Sequence, residues 1–195
     1  MLKTLFESEE ARQADLERLL KLNNISKEEF PFDWLCSTDF FRAPAAAKHH
    51  CNYYGGLYDH SRNVFQQLAR FTQMGLCTWT RSSSPLIIGM LHDATKIGAY
   101  KTFQEKNPLT EEIECGYIWN SDQVKLSEIH GMDSVLKVQN YIELTTEEKL
   151  CIRFHMGAYE TDAWDAYDEA IRVFPNVLWT HQADMVASKL MEDAI

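Results

Sequence analysis

Leu86-Ile87-Ile88-Gly89-Met90-Leu91-His92-Asp93 runs from the most hydrophobic stretch of the chain straight into an imidazole and a carboxylate. An uninterrupted apolar run from about Ser84 to His92 reads as a short helix buried on every side. Ending such a segment on two ionisable side chains is costly unless something compensates them, and a divalent cation compensates both at once. The pair His92-Asp93 is therefore a candidate metal site.

Working outward, further residues of the right type recur at helix-plus-loop intervals: His60, His130, His155 and Asp184. After Gly55-Gly56, Leu57, Val64, Leu68 and Phe71 repeat at close to helical spacing, and His60 lies at the edge of that stripe. A helix is expected from Ser127 to Ile142, with His130 in its first turn. Thr145 and Glu148 have capping-box spacing and open a helix that closes at His155, before Gly157. A last helix is expected from Asn176, after Pro175, with Asp184 in its middle. An inward carboxylate there needs a partner. The N-terminal residues 4 to 22 suit an amphipathic helix, and Phe30 to Pro44 reads as an ordered loop with short helical turns. Strand signals are nearly absent, so the expected fold class is all-α.

Length and composition bound the rest. A chain of 195 residues, 45% hydrophobic, suits one domain with one core. Residues 1–45 are expected to pack as helix and loop on a core formed by 46–195. A net charge of -10 argues against a broad phosphate-tracking surface, so extended nucleic acid is a poor partner and a small molecule a better one. Cys36, Cys51, Cys77, Cys115 and Cys151 are scattered, with no C-x-x-C pair, and read as reduced thiols. No apolar run reaches membrane-spanning length, and Met1 to Glu10 lacks the apolar core of a signal peptide. A cytoplasmic protein is expected.

Apart from the adjacent His92 and Asp93, each candidate ligand falls on its own expected helix, so a bundle could aim all six at one internal cavity. His60, His92, Asp93 and Asp184 make one nitrogen- and carboxylate-rich set. If Asp93 bridges, His130 and His155 hold a second ion, and paired ions can activate water and clamp a phosphoryl oxygen. Lys96, three residues after Asp93, can offer a cation to a substrate phosphate. His49 and His50, close to the glycine turn, are candidates for touching substrate or, equally, for a structural role. His181 suits a supporting role, Cys151 the core, and the five tryptophans packing rather than base stacking, because no basic residues interleave with them.

The order His60, His92-Asp93, His130, His155, Asp184 resembles the HD-domain metal-dependent phosphohydrolase superfamily. The segments Phe40 to Ala46, His49-His50, Gly55-Gly56-Leu57 to His60, Leu91 to Lys96, His130-Gly131, Arg153 to Gly157 and His181 to Met185 resemble a bacterial and phage-associated branch, similar in turn to the HD domain of 3′-to-5′ exoribonucleases. The likeness spans roughly residues 38 to 190. It implies an HD-type helical bundle with the metal site at its centre. One or two divalent ions (Mn, Mg, Fe, Zn, Ni or Co) would be held by His60, His92, Asp93, His130, His155 and Asp184, with Asp93 and Lys96 catalytic and Lys96 and His50 touching substrate.

Several positions depart from that pattern. Thr95 stands where many relatives have glycine, and Met156 where some have a second histidine. Gly56 replaces the glutamate of some three-metal relatives, which argues against a third ion and against the cyclic-dinucleotide branch. Ala187 replaces a second aspartate of the exoribonuclease-like relatives, and the roughly 50 residues before Gly55 are expected to be too few and too helical to form a nucleic-acid-binding barrel. The expected activity is hydrolysis of a small phosphate ester, a nucleotide foremost. Two other classes remain open: an HD-type diiron oxygenase and a non-catalytic nucleotide-binding HD module.

Overall fold

The computed structural model describes residues 4–26, 28–106, 111–123, 125–127, 129–157 and 164–192. The outermost ends of the expected 1–195 domain thus lie outside the described residues. Helix α1 (Glu9–Leu22) starts where the Ser8 hydroxyl accepts the Ala11 N–H at 3.2 Å, and it buries Leu16, Leu19 and Leu20. It begins later than the sequence suggested. Leu5, inside the expected residues 4 to 22, precedes the helix and is exposed. Short α2 (Phe32–Cys36) follows within the aromatic loop.

The centre is built by α3 (Gly56–Gln73) and α4 (Ser84–Leu91), the latter buried at every residue as its composition demanded. A Cβ on Gly89 would stand 2.6 Å from the Phe65 Cα, so only glycine lets these two helices approach so closely. A 3-10 turn, Ala94–Lys96, leads to two strands.

Those strands, β1 (Tyr100–Lys106) and β2 (Ile113–Trp119), form an antiparallel hairpin with Tyr100 opposite Trp119 and Lys106 opposite Ile113. The fold is mostly helical, as expected, but this hairpin corrects the reading that strand signals were nearly absent. Tyr, Thr, Phe, Ile and Trp favour pleated backbone. Their alternation is blurred because much of the hairpin faces solvent, so no clean apolar face marks it.

After the hairpin come α5 (His130–Val138), shorter than the expected Ser127–Ile142, and α6 (Thr146–Arg153) with its capping box at Thr145 and Glu148. Then come α7 (Trp164–Val173), α8 (Asn176–Val186) and a π-helical turn at Ala187–Met191. α3 packs on α4 and α8, and α6 packs on α4, α5 and α8. A Cβ on Gly131 would meet the Arg153 carbonyl oxygen at 2.1 Å, which fixes how near α5 lies to α6.

One apolar cluster runs from Leu16 through Leu57, Ile87 and Ile152 to Ala187, so the N-terminal segment shares the core. It is also pinned by charge: buried Arg12 donates from Nε to Asp59 at 3.1 Å, and Arg42 pairs with Glu9 at 2.9 Å. Cys51, Cys77, Cys115 and Cys151 are in no disulfide, and Cys151 is fully buried. Trp34 stacks on Tyr141 and Trp79 bonds to Thr72, but Trp119 and Trp164 stay exposed, contrary to a uniform packing role. No described helix is long and apolar enough to cross a membrane.

Candidate metal centre

The six candidate ligands come together in the middle of the helices. His60 sits in the second turn of α3, and His92 is the C-cap of α4, where its own N–H still reaches the Ile88 carbonyl. Asp93 caps the 3-10 turn, His130 opens α5, His155 follows the end of α6, and Asp184 lies within α8. His60, His92, Asp93 and His155 are buried, and the Asp184 side chain keeps 14% of its surface. His130 is the outermost of the set, with 30% of its side chain accessible.

Four atoms make a compact group. His60 Nε2 lies 3.2 Å from His92 Nε2, 3.2 Å from Asp184 Oδ1 and 3.5 Å from Asp93 Oδ2, and His92 Nε2 lies 3.4 Å from the same Asp93 oxygen. A tetrahedral ion with bonds of about 2.0–2.1 Å has ligand-to-ligand edges of roughly 3.3–3.4 Å, so these spacings suit a cation at their centre. The other Asp93 oxygen, Oδ1, faces away from this group, 2.7 Å from His130 Nε2 and 3.5 Å from His155 Nε2. One carboxylate thus looks into two nitrogen-rich sets.

The proton positions fit a metal as well. His92 Nδ1 is 2.9 Å from the Gly89 carbonyl and His155 Nδ1 is 2.7 Å from the Ile152 carbonyl. A carbonyl only accepts, so both protons sit on Nδ1 and both Nε2 lone pairs point to the cluster. His60 is held likewise, its Nδ1 3.1 Å from each oxygen of Glu192. Among the described residues, buried His155 Nε2 makes no hydrogen bond, which suits a nitrogen turned toward a cation. These buried His and Asp clusters could hold a metal ion.

Without metal the charges are balanced internally. Burial opposes charging His60, but Glu192 and Asp184 outweigh it and raise its pKa to about 10. Burial would raise Asp93 and Asp184, yet Lys96 and the histidines hold Asp93 well below the ordinary carboxylate range, and His60 does the same for Asp184. Lys96 Nζ lies 2.6 Å from Asp93 Oδ2; burial disfavours its charge, but Asp93 keeps its pKa above the usual value. Burial, with the neighbouring His60 and Lys96, lowers His50 to about 4, so it is neutral at ordinary pH.

Above the cluster opens a cavity of about 450 Å³ lined by His49, His50, Asp93, Lys96, His130, His155, Met156, His181, Asp184, Met185, Ser188 and Lys189. His50 and Lys96 are therefore at the wall, as expected of substrate contacts, and the ring of His50 lies 4.7 Å from that of His60. His181 bonds through Nδ1 to the carbonyl of His155 at 2.8 Å and so steadies that segment. On the far side of His130 a second cleft of about 240 Å³ is lined by Thr95, Trp119, Lys125 and Asp133.

Glu192 was missed from the sequence. It stands beyond a π turn, where helical periodicity no longer says which way a side chain faces. Compared with protein families, curated proteins and solved structures, the chain matches none, so its reading rests on these residues and their arrangement.

Proposed function

We propose that the protein is an HD-type, metal-dependent phosphohydrolase acting on a small phosphate ester, a nucleotide foremost. The observation that carries this is the split coordination of Asp93, one oxygen toward His60 and His92 and the other toward His130 and His155, at the floor of a cavity that also presents Lys96. His60, His92, Asp93 and Asp184 would hold one divalent ion, and Asp93, His130 and His155 a second. Bound there, such ions supply a Lewis acid for a phosphoryl oxygen and a lowered pKa for attacking water.

The chain's own residues do the rest. Asp93 fixes the spacing between the two ligand sets, and Lys96, kept charged by Asp93, offers a positive contact to the phosphoryl group. Neutral His50 borders the same space and can accept or donate a hydrogen bond without adding charge. A cavity of about 450 Å³ suits a mononucleotide-sized ligand, not a long polymer.

The test is elemental analysis of the purified protein joined to a panel of phosphomonoesters, phosphodiesters and cyclic nucleotides, with oxygen uptake followed in parallel for the iron-loaded form. Phosphate or nucleoside release supports the reading. Oxygen consumption with no phosphate release would replace it with the diiron oxygenase, and nucleotide binding without turnover would replace it with the binding module.

A further inference from the structure

Asp184 and Glu192 grip the same imidazole from opposite sides: Asp184 Oδ1 is 3.2 Å from His60 Nε2, and both Glu192 oxygens are 3.1 Å from His60 Nδ1. In a regular α-helix, residues eight apart point about 80° away from each other. Between these two the backbone takes a π turn, and the Glu192 N–H donates to the Ala187 carbonyl at 3.1 Å, an i to i−5 bond. One extra residue in the turn brings Glu192 to within roughly 20° of the Asp184 direction. Glu192 is then held in place by Asn63 Nδ2, 2.9 Å from Oε1, and its side chain is 3% exposed.

A carboxylate buried at this depth next to a ring nitrogen acts as an acceptor only. We propose that Glu192 is a positioning residue of the metal centre: brought onto the Asp184 face by the π turn, it keeps a proton on His60 Nδ1, so that Nε2 is the nitrogen a divalent ion takes. This rests on the metal-binding half of the reading above, but not on any reaction. Partners of this kind orient a ligand ring and slow its departure from the metal.

The experiment is metal release from the cobalt-loaded full chain into excess chelator, with the visible cobalt spectrum recorded for wild type, Glu192→Gln and Glu192→Asp. The amide of Glu192→Gln can turn its NH2 toward Nδ1 and free the ring to flip. Release should quicken by roughly 10- to 100-fold with an altered spectrum, and Glu192→Asp, one methylene short, should fall between. Release within twofold of wild type and an unchanged spectrum in Glu192→Gln overturn the proposal.

A second readout uses wild type alone and survives misfolding of the variants. Nitrogen-15 shifts of the zinc-loaded protein should show His60 protonated at Nδ1 and bound at Nε2, and the reverse assignment overturns the proposal. No substrate enters either measurement, so failure of the phosphohydrolase reading leaves it standing. A wild type that binds no divalent ion overturns both.

Discussion

His60 Nε2 and His92 Nε2 face each other at 3.2 Å, each ring anchored through its other nitrogen, to Glu192 and to the Gly89 carbonyl. His92 offers only a lone pair, so the metal-free contact is made by a proton on His60, the ring whose pKa lies near 10. A divalent ion must displace that proton. Metal binding at neutral pH should therefore release about one proton from His60, and apparent affinity should fall as pH drops below 10. Calorimetry in buffers of different ionisation enthalpy checks this, and a binding enthalpy independent of buffer would contradict it.

The stability of the metal-free protein should peak near pH 6.5. His60 titrates at 6.5 when unfolded and about 10 when folded, so its contribution is complete below 6.5 and lost as pH rises through 10. His50 is depressed to about 4, so its neutral form stabilises above 6.5 and that contribution is lost as pH falls toward 4. Burial would raise Glu192, but His60 and Asn63 bring it to about 2, adding a further loss between pH 4.5 and 2. Thermal melts across this range should be single-peaked, and loading with metal should flatten the alkaline limb.

Asp93→Ala removes the one carboxylate among the described residues that faces both ligand sets. Both ions should leave together, metal content by mass spectrometry falling by more than half, and hydrolysis should drop at least 10³-fold, since bound ions supply several kcal/mol of charge stabilisation. Full metal content with full activity would sink the two-metal reading.

Gly131→Ala tests the second set separately. The new Cβ would lie 2.1 Å from the Arg153 carbonyl, so α5 must move off α6 and carry His130 away from Asp93 and His155. The expected result is retention of one ion and loss of the other, read as metal per chain. Two ions retained would show that His130 tolerates the shift.

Arg12→Ala leaves the buried Asp59 carboxylate with its ion pair gone. Breaking a buried pair costs roughly 3–5 kcal/mol, which for a domain of this size is a fall in Tm of roughly 6–20 °C. Arg42→Ala, whose pair with Glu9 is exposed, should cost at most about 1 kcal/mol. Differential scanning calorimetry of the two variants separates them.

The helical character and the ligand types could be read along the chain because both are local. The apolar run of Leu86 to Leu91 can only be a buried segment, the capping box at Thr145 and Glu148 marks a helix start by spacing alone, and His60 and Asp184 keep step with their own helices. The hairpin of Tyr100 to Trp119 escaped notice because its faces are wet and its alternation weak. Long-range geometry was beyond reach for a different reason. The two-way aim of Asp93 depends on where α3, α5, α6 and α8 cross, which close approaches at Gly89 and Gly131 decide. Glu192 reaches His60 over 132 residues of chain and through a π turn, whose extra residue breaks the periodicity from which a sequence is read.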